Sequence, residues 1–214
     1  IIMPYFLCFF CLPFNTKFSP ISGMPFPECC LQGKVPYVII KYSVDIWAKN
    51  INDAREIQRI LMEKVILKPL FFEPEYICGV DASFSENQIF ACASLFKFPE
   101  LNHIEDSFVK MKLEFPYVST FLSFREGKAI MEAIKKLKIK PHVILFDGQG
   151  IAHPLSFGIA SHIGVLLDIP SIGCAKSRLI GEYEEPKKER GSFSYLYFRG
   201  KIVGVVLRLS LIHI

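Results

Sequence analysis

From residue 44 onward the chain alternates between short apolar runs and amphipathic stretches. Residues 76–83, YICGVDAS, and 88–96 are apolar runs joined by the polar stretch SFSEN. Runs of that length between turn residues read as strands, so 76–96 is expected to be an antiparallel hairpin. A third strand is expected at 103–113. Over 124–138, Ile130, Ala133, Ile134 and Leu137 recur at helical spacing. A strand at 143–147 and a helix at 155–167 follow. Gly158, Ala160, Ser161 and Gly164 are small residues that would let this helix lie close on a sheet. A strand at 171–174 comes next. SFSYLYF (192–198) and KIVGVVLRL (201–209) form a last hairpin, turning at Arg199 and Gly200. Ahead of all these, about 44–64 reads as a helix with Ala54, Ile57, Ile60, Leu61 and Val65 as its apolar stripe. A hairpin-led sheet continued by β-α-β units is an α/β fold with a mixed sheet flanked by helices.

Composition narrows the class. The 214 residues are 51% hydrophobic, enough for one sizeable domain. A net charge of +4 permits a polyanionic partner without requiring one. Lysines cluster at 135–140, read as solvated surface, and at 187–190, a loop that could touch a phosphate. The seven cysteines show no zinc spacing. Cys78, Cys92 and Cys174 fall in apolar strands and behave as small core residues, so a reducing, cytoplasmic setting is the simplest reading. Residues 1–14 are strongly apolar but too short for a membrane span and lack the charged start of a signal peptide. Residues 1–42 carry no recognisable element and are expected to be a disordered or non-native extension. The catalytic domain is expected over 43–209, with 210–214 as a tail.

The chemistry concentrates in VILFDGQGIAHP, residues 143–154. Its apolar run delivers Asp147 to the strand's carboxyl end, and Gly148, Gln149 and Gly150 follow. Burying an unpaired carboxylate is costly, so such an Asp either holds a metal or caps a loop. Asp81 repeats the arrangement on the first strand of the hairpin. If the two strands are neighbours, the two carboxylates repel each other and ask for a divalent cation. Magnesium suits them: it takes oxygen ligands, keeps waters and completes its shell with phosphate. Glycines at 148 and 150 would let backbone groups come close to a ligand. Glu126 offers a third acid in the first turn of the helix after PYVSTFLSFREG (116–127). There Ser123 and Glu126 also fit a capping box, and on spacing alone the cap is preferred. His153 follows the glycine turn and would approach a phosphate or support the site. His162 reads as a packing or surface residue.

Four blocks together, GVDASF (79–84), PYVSTFLSFREG (116–127), FDGQGIAHP (146–154) and IASHIGVLLDIPSIGCAKSRLIG (159–181), closely resemble the endonuclease V family in order and spacing. The resemblance covers roughly residues 45–208. It implies a ribonuclease-H-like fold and a deoxyinosine-directed nuclease. It also implies metal-binding carboxylates at Asp81 and Asp147, a third catalytic acid at Glu126, and an active-site lysine at Lys176. Tyr117, after Pro116, takes the place of the family's helix-opening wedge. By the same resemblance Pro116, Tyr117, Gly148, Gln149, Gly150 and His153 would contact DNA, and the cofactor would be Mg2+, with Mn2+ as a substitute. The wedge loop here reads Pro116, Tyr117, Val118, Ser119, without the family's second proline. Leu155 stands where the family usually has a basic residue.

The resemblance implies a monomeric, membrane-free repair enzyme. It would cut the second phosphodiester bond 3′ to deoxyinosine and leave a 5′-phosphate. Two alternatives stay open: an endonuclease for inosine-containing RNA, and an inactive nucleic-acid-binding fragment. The second arises because the family continues past LRLSLIHI with a glycine-histidine segment and a closing helix. His213 does not take that histidine's place, and the chain is read as truncated.

Overall fold

The computed structural model describes residues 5–8 and 46–209. The expectations for 1–42 and for the 210–214 tail lie outside these residues, apart from Tyr5–Cys8. The elements in chain order are β1 (Tyr5–Cys8), α1 (Ile51–Met62), β2 (Tyr76–Ser85), β3 (Gln88–Lys97), β4 (Asn102–Lys112) and α2 (Leu122–Lys136). Then come β5 (Val143–Phe146), α3 (Ile159–Leu167), β6 (Ser171–Ala175), β7 (Phe193–Phe198) and β8 (Lys201–Arg208). They build one sheet in the order β4-β3-β2-β5-β6-β1-β8-β7. The pairs β4/β3 and β3/β2 are antiparallel, whereas β2/β5 and β5/β6 are parallel. β1 then pairs antiparallel with β6 and β8, and β8 with β7. The mixed α/β sheet flanked by helices is the architecture the pattern implied.

Alternation fixes which face is covered. Along β3, Ile89, Ala91, Ala93 and Leu95 point into the core while the residues between them do not. β5 buries Val143, Ile144 and Phe146, as a central parallel strand should. Over this face lie α2 and α3, and the core joins Cys78, Val80, Ile130, Ile134, Phe146 and Ile163. A methyl group on Gly127 would sit 2.6 Å from Ile163 Cδ1, so its missing side chain lets the two helices meet. A smaller cluster of Ala54, Phe115, Phe121 and Phe124 fastens α1 to the segment before α2. Among the described residues no helix is long and apolar enough to cross a membrane.

The helix boundaries differ from the sequence pattern in three places, each for a local reason. α1 starts at Ile51 because the Asn50 side chain accepts from the Asp53 amide at 3.0 Å, a true N-cap. Its inner face also differs: Ile60 is 50% exposed, whereas Gln58 is fully buried. α3 starts at Ile159, not 155. The Gly158 amide donates to the Gly150 carbonyl and the Ala160 amide to the Gln149 carbonyl, so residues 155–158 are folded back onto the preceding turn. The expected capping box at α2 does not form. Its N-cap, Phe121, makes no side-chain cap bond, and Glu126 lies in the second turn. Ser123 is buried and bonds the His162 Nδ1 of α3 at 2.8 Å instead. A buried hydroxyl needs a partner inside the core, and α3 supplies one.

His162 is therefore a packing residue, set against Trp47, Phe124 and Phe157. Burial pushes its imidazole down to about 3. Unfolded, the ring titrates near 6.5; folded, it stays neutral far below that. Its contribution to stability is present above about 6.5 and is lost as pH falls toward the folded value. We expect the melting temperature of His162→Gln, relative to wild type, to rise as pH drops from 7 to 4.5. Thermal melts across that range check this, and parallel pH dependences in the two proteins would contradict it.

Candidate active site

The parallel pairing of β2 with β5 positions the first two acids. Val80 lies opposite Phe146 in that register, so Asp81, midway along β2, stands beside Asp147, the residue that follows β5. Asp81 is exposed, and its Oδ1 accepts from the Ala82 amide at 2.8 Å. Asp147 is partly buried at the start of the glycine turn. β6 runs parallel beside β5 and ends at Ala175. The next residue, Lys176, donates from Nζ to Asp147 Oδ2 at 2.5 Å.

Glu126 faces the same point from α2. Burial lifts its carboxyl from the ordinary 4.5 to about 7. The negative charge of Asp81 adds to that, Arg125 opposes it, and Asp147 adds a little more. The three acids thus share one electrostatic environment. Among the described residues no three His, Cys, Asp or Glu side chains form a ready-made cage for a metal. Magnesium does not need one: one or two carboxylates, waters and substrate phosphates hold it. The donor set fits such an ion. It is all oxygen and mutually repulsive, and Lys176 already places a positive charge on Asp147.

Two glycines outside the turn hold it in place. A methyl group on Gly158 would lie 2.2 Å from the Gln149 carbonyl oxygen, and one on Gly173 would lie 2.4 Å from the Gly150 amide. The 148–150 backbone is sandwiched between the start of α3 and β6. Gly148 itself is needed for packing, since a Cβ there would meet Ile159 at 2.6 Å; at Gly150 nothing comes closer than 3.8 Å. Gln149 turns outward and donates from Nε2 to the Ser177 carbonyl at 2.8 Å, tying this turn to the loop after Lys176.

The segment carrying Pro116 and Tyr117 is anchored at both feet. Phe115 and Phe121 are buried beneath α1. The Phe115 carbonyl accepts from Arg125 at 3.1 Å. The Thr120 carbonyl accepts from two side chains, Gln58 Nε2 at 3.0 Å and His153 Nε2 at 3.1 Å. His153 is only 2% exposed, and its Nδ1 accepts from the Leu155 amide at 3.3 Å. With Nδ1 an acceptor, Nε2 carries the proton. Of the two roles its sequence context allowed, the ring's contacts are those of a support. Between the anchored feet Tyr117 stands 74% exposed.

A cavity of about 300 Å3 opens between these parts, lined by Tyr117, Thr120, Asp147, Gln149, Lys176 and Arg178 among others. The structure thus gathers Asp81, Glu126, Asp147 and Lys176 at one point. It sets Tyr117 and the glycine turn on the rim of the adjoining cavity. The 187–190 loop lies elsewhere, before β7, held to β8 through Arg208. Sequence reasoning missed Gln58, Thr120 and Gly173. A glycine inside an apolar strand is a signal of close backbone approach and could have exposed Gly173. Nothing local distinguishes Gln58.

Residues 59–211 match the family model for Endonuclease V. The Endonuclease V of Dictyoglomus turgidum is 50% identical over 160 residues, covering 75% of this chain and 70% of the relative. That of Rippkaea orientalis is 48% identical over 161 residues, covering 74% and 70%. Among solved structures, the Endonuclease V of Streptomyces avermitilis matches with a TM-score of 0.71 at 34% identity, covering 76% of this chain and 73% of that one. The Ciona intestinalis Endonuclease V, solved with a 24mer DNA containing an inosine followed by a ribo-adenosine, matches with a TM-score of 0.57 at 25% identity. It covers 75% of this chain and 82% of that one.

Because Gly158 and Gly173 touch only backbone of the turn, their substitution should act on the turn before the core. We expect Gly158→Ala and Gly173→Ala each to lose most nuclease activity while remaining folded at 25 °C, at a cost of about 1–3 kcal/mol, as for overpacked sites. Paired denaturant melts and cleavage assays check this. Full activity in both variants would show that the turn's position is immaterial.

Proposed function

The chain belongs to the Endonuclease V family and is an endonuclease with a ribonuclease-H-like fold; from that premise we propose that it recognises deoxyinosine in DNA. It cuts the second phosphodiester bond on the 3′ side, leaving a 5′-phosphate, as a step in repair of deaminated adenine. The observation that carries the hydrolytic part is the β2/β5 register, which sets Asp81 beside Asp147 with Glu126 electrostatically coupled to both. Recognition is supported by the exposed Tyr117 at the rim of a cavity large enough for a turned-out base, and by the inosine DNA bound to the Ciona protein.

Asp81, Asp147 and Glu126 would hold a divalent cation, magnesium with manganese as a substitute. When bound, such an ion polarises a phosphoryl oxygen, acidifies water and stabilises the leaving oxygen. The chain's own residues do the rest. Lys176 Nζ leaves Asp147 and offsets charge developing on the phosphate. Glu126 positions the attacking water. Tyr117 fills the gap left when the inosine leaves the stack. The Gly148–Gly150 backbone faces the hypoxanthine edge, Pro116 shapes the wedge loop, and His153 supports it. An RNA reading stands beside the DNA one, because the Ciona complex carries a ribose directly after the inosine. Matched deoxyribo- and ribo-inosine oligonucleotides separate the two.

Asp81→Ala and Asp147→Ala should each reduce cleavage by about 10²–10³-fold or more, the scale for losing one electrostatic stabiliser. Binding of inosine DNA in calcium should survive in both. Near-normal cleavage in magnesium by either variant would remove the assignment. Tyr117→Ala should weaken discrimination between inosine and undamaged duplex about tenfold, given roughly 1–3 kcal/mol per stacked aromatic. Equal duplex affinities for wild type and variant, measured by fluorescence anisotropy, would leave Tyr117 a surface residue.

A further inference from the structure

We propose that Gln58 on α1 is a positioning residue: together with His153 it clamps the Thr120 carbonyl and so holds Tyr117 at the mouth of the cavity. The inference rests on the reading above for what Tyr117 does, but not for the clamp itself.

Three observations carry it. First, Thr120 has a φ of +73°. A β-branched residue in the left-handed region is a genuine outlier, and such strain persists where the surroundings over-determine it. Secondly, the surroundings do so. Gln58 and His153 donate to the same carbonyl from two different elements, one on α1 and one after the glycine turn. Thirdly, Gln58 is a poor core residue on its own account. It is 0% exposed in the inner stripe with Ala54 and Leu61. Its Oε1 has no hydrogen-bond partner among the described residues. A half-satisfied buried amide is less stabilising there than an apolar side chain of the same shape. Its one structural return is the bond to Thr120.

The clamp completes the loop's fastening. Arg125 holds the Phe115 carbonyl on one side of Pro116 and Tyr117, and Gln58 with His153 holds the other. Val118 packs inward beside Phe115 and Phe121, which leaves Tyr117 directed outward. A loop with fixed ends presents an aromatic ring without first having to order it, so less of the stacking free energy is lost on binding. The segment lacks a proline after Val118 to stiffen it. Side chains from α1 and the glycine turn do this instead.

The test uses Gln58→Leu, with Gln58→Met as a second variant should leucine fail to fold. Single-turnover cleavage is measured in magnesium on inosine duplex and on single-stranded inosine oligonucleotide. Opening a helix is needed only on the duplex. The half-saturating concentration of duplex should rise by up to about tenfold, the stacking worth of one aromatic side chain. The rate at saturation and both constants on the single strand should stay unchanged. A merely structural role for Gln58 would weaken both substrates alike; that result overturns the proposal.

Hydrogen exchange gives the independent readout. The Phe121 amide bonds the Val118 carbonyl at 3.0 Å, closing the loop. It should exchange faster in Gln58→Leu than in wild type. Unchanged exchange overturns the clamp whatever the nuclease assays show. Faster exchange in a protein whose wild type ignores inosine would sustain the clamp and refute the inosine reading.

Discussion

The parallel ladder between β2 and β5 is the constraint on which the site depends. It places Val80 against Phe146 and hence one carboxylate beside another in the interior of the sheet. Side chains in a strand change face with every residue, so a slip of one position would send one of the acids into the core. The buried residues just before them prevent that slip. Cys78, Val80, Ile144 and Phe146 pack under α2 and α3, and any other register would expose part of that surface. Core packing thus fixes where the two carboxylates stand.

The remaining parts are attached to this pair by close contact. α2 brings Glu126 over the acids because Gly127 lets it lie against Ile163, and because Ser123 is tied to His162. The glycine turn is held between Gly158 and Gly173. Burial, with the like charge of Asp81 added to it, lifts the proton affinity of Glu126. Lys176 answers part of it through an ion pair that is largely solvent-exposed and therefore weak. It can leave when a substrate phosphate arrives.

Much of this was legible in the chain, for identifiable reasons. Asp81 and Asp147 stood out because each ends an apolar run, where a carboxylate is otherwise out of place. The strands were legible because their burial alternates or is continuous. On spacing alone Ser123 and Glu126 fit a cap, because local spacing carries no information about a histidine thirty-nine residues later in the chain. Gln58 was invisible for a related reason. The helical stripe picked Ile60 as the inward residue, and only the packing of α1 over Phe115 and Phe121 turns Gln58 inward instead. The early start expected for α3 failed because the chain from Leu155 to Gly158 bonds backward to the glycine turn.

On the proposed function Asp81 and Asp147 share one divalent cation. Crystals grown with manganese, measured for its anomalous scattering, test this. A single strong anomalous peak within coordination distance of both carboxylates is expected. A peak that touches neither acid would contradict it.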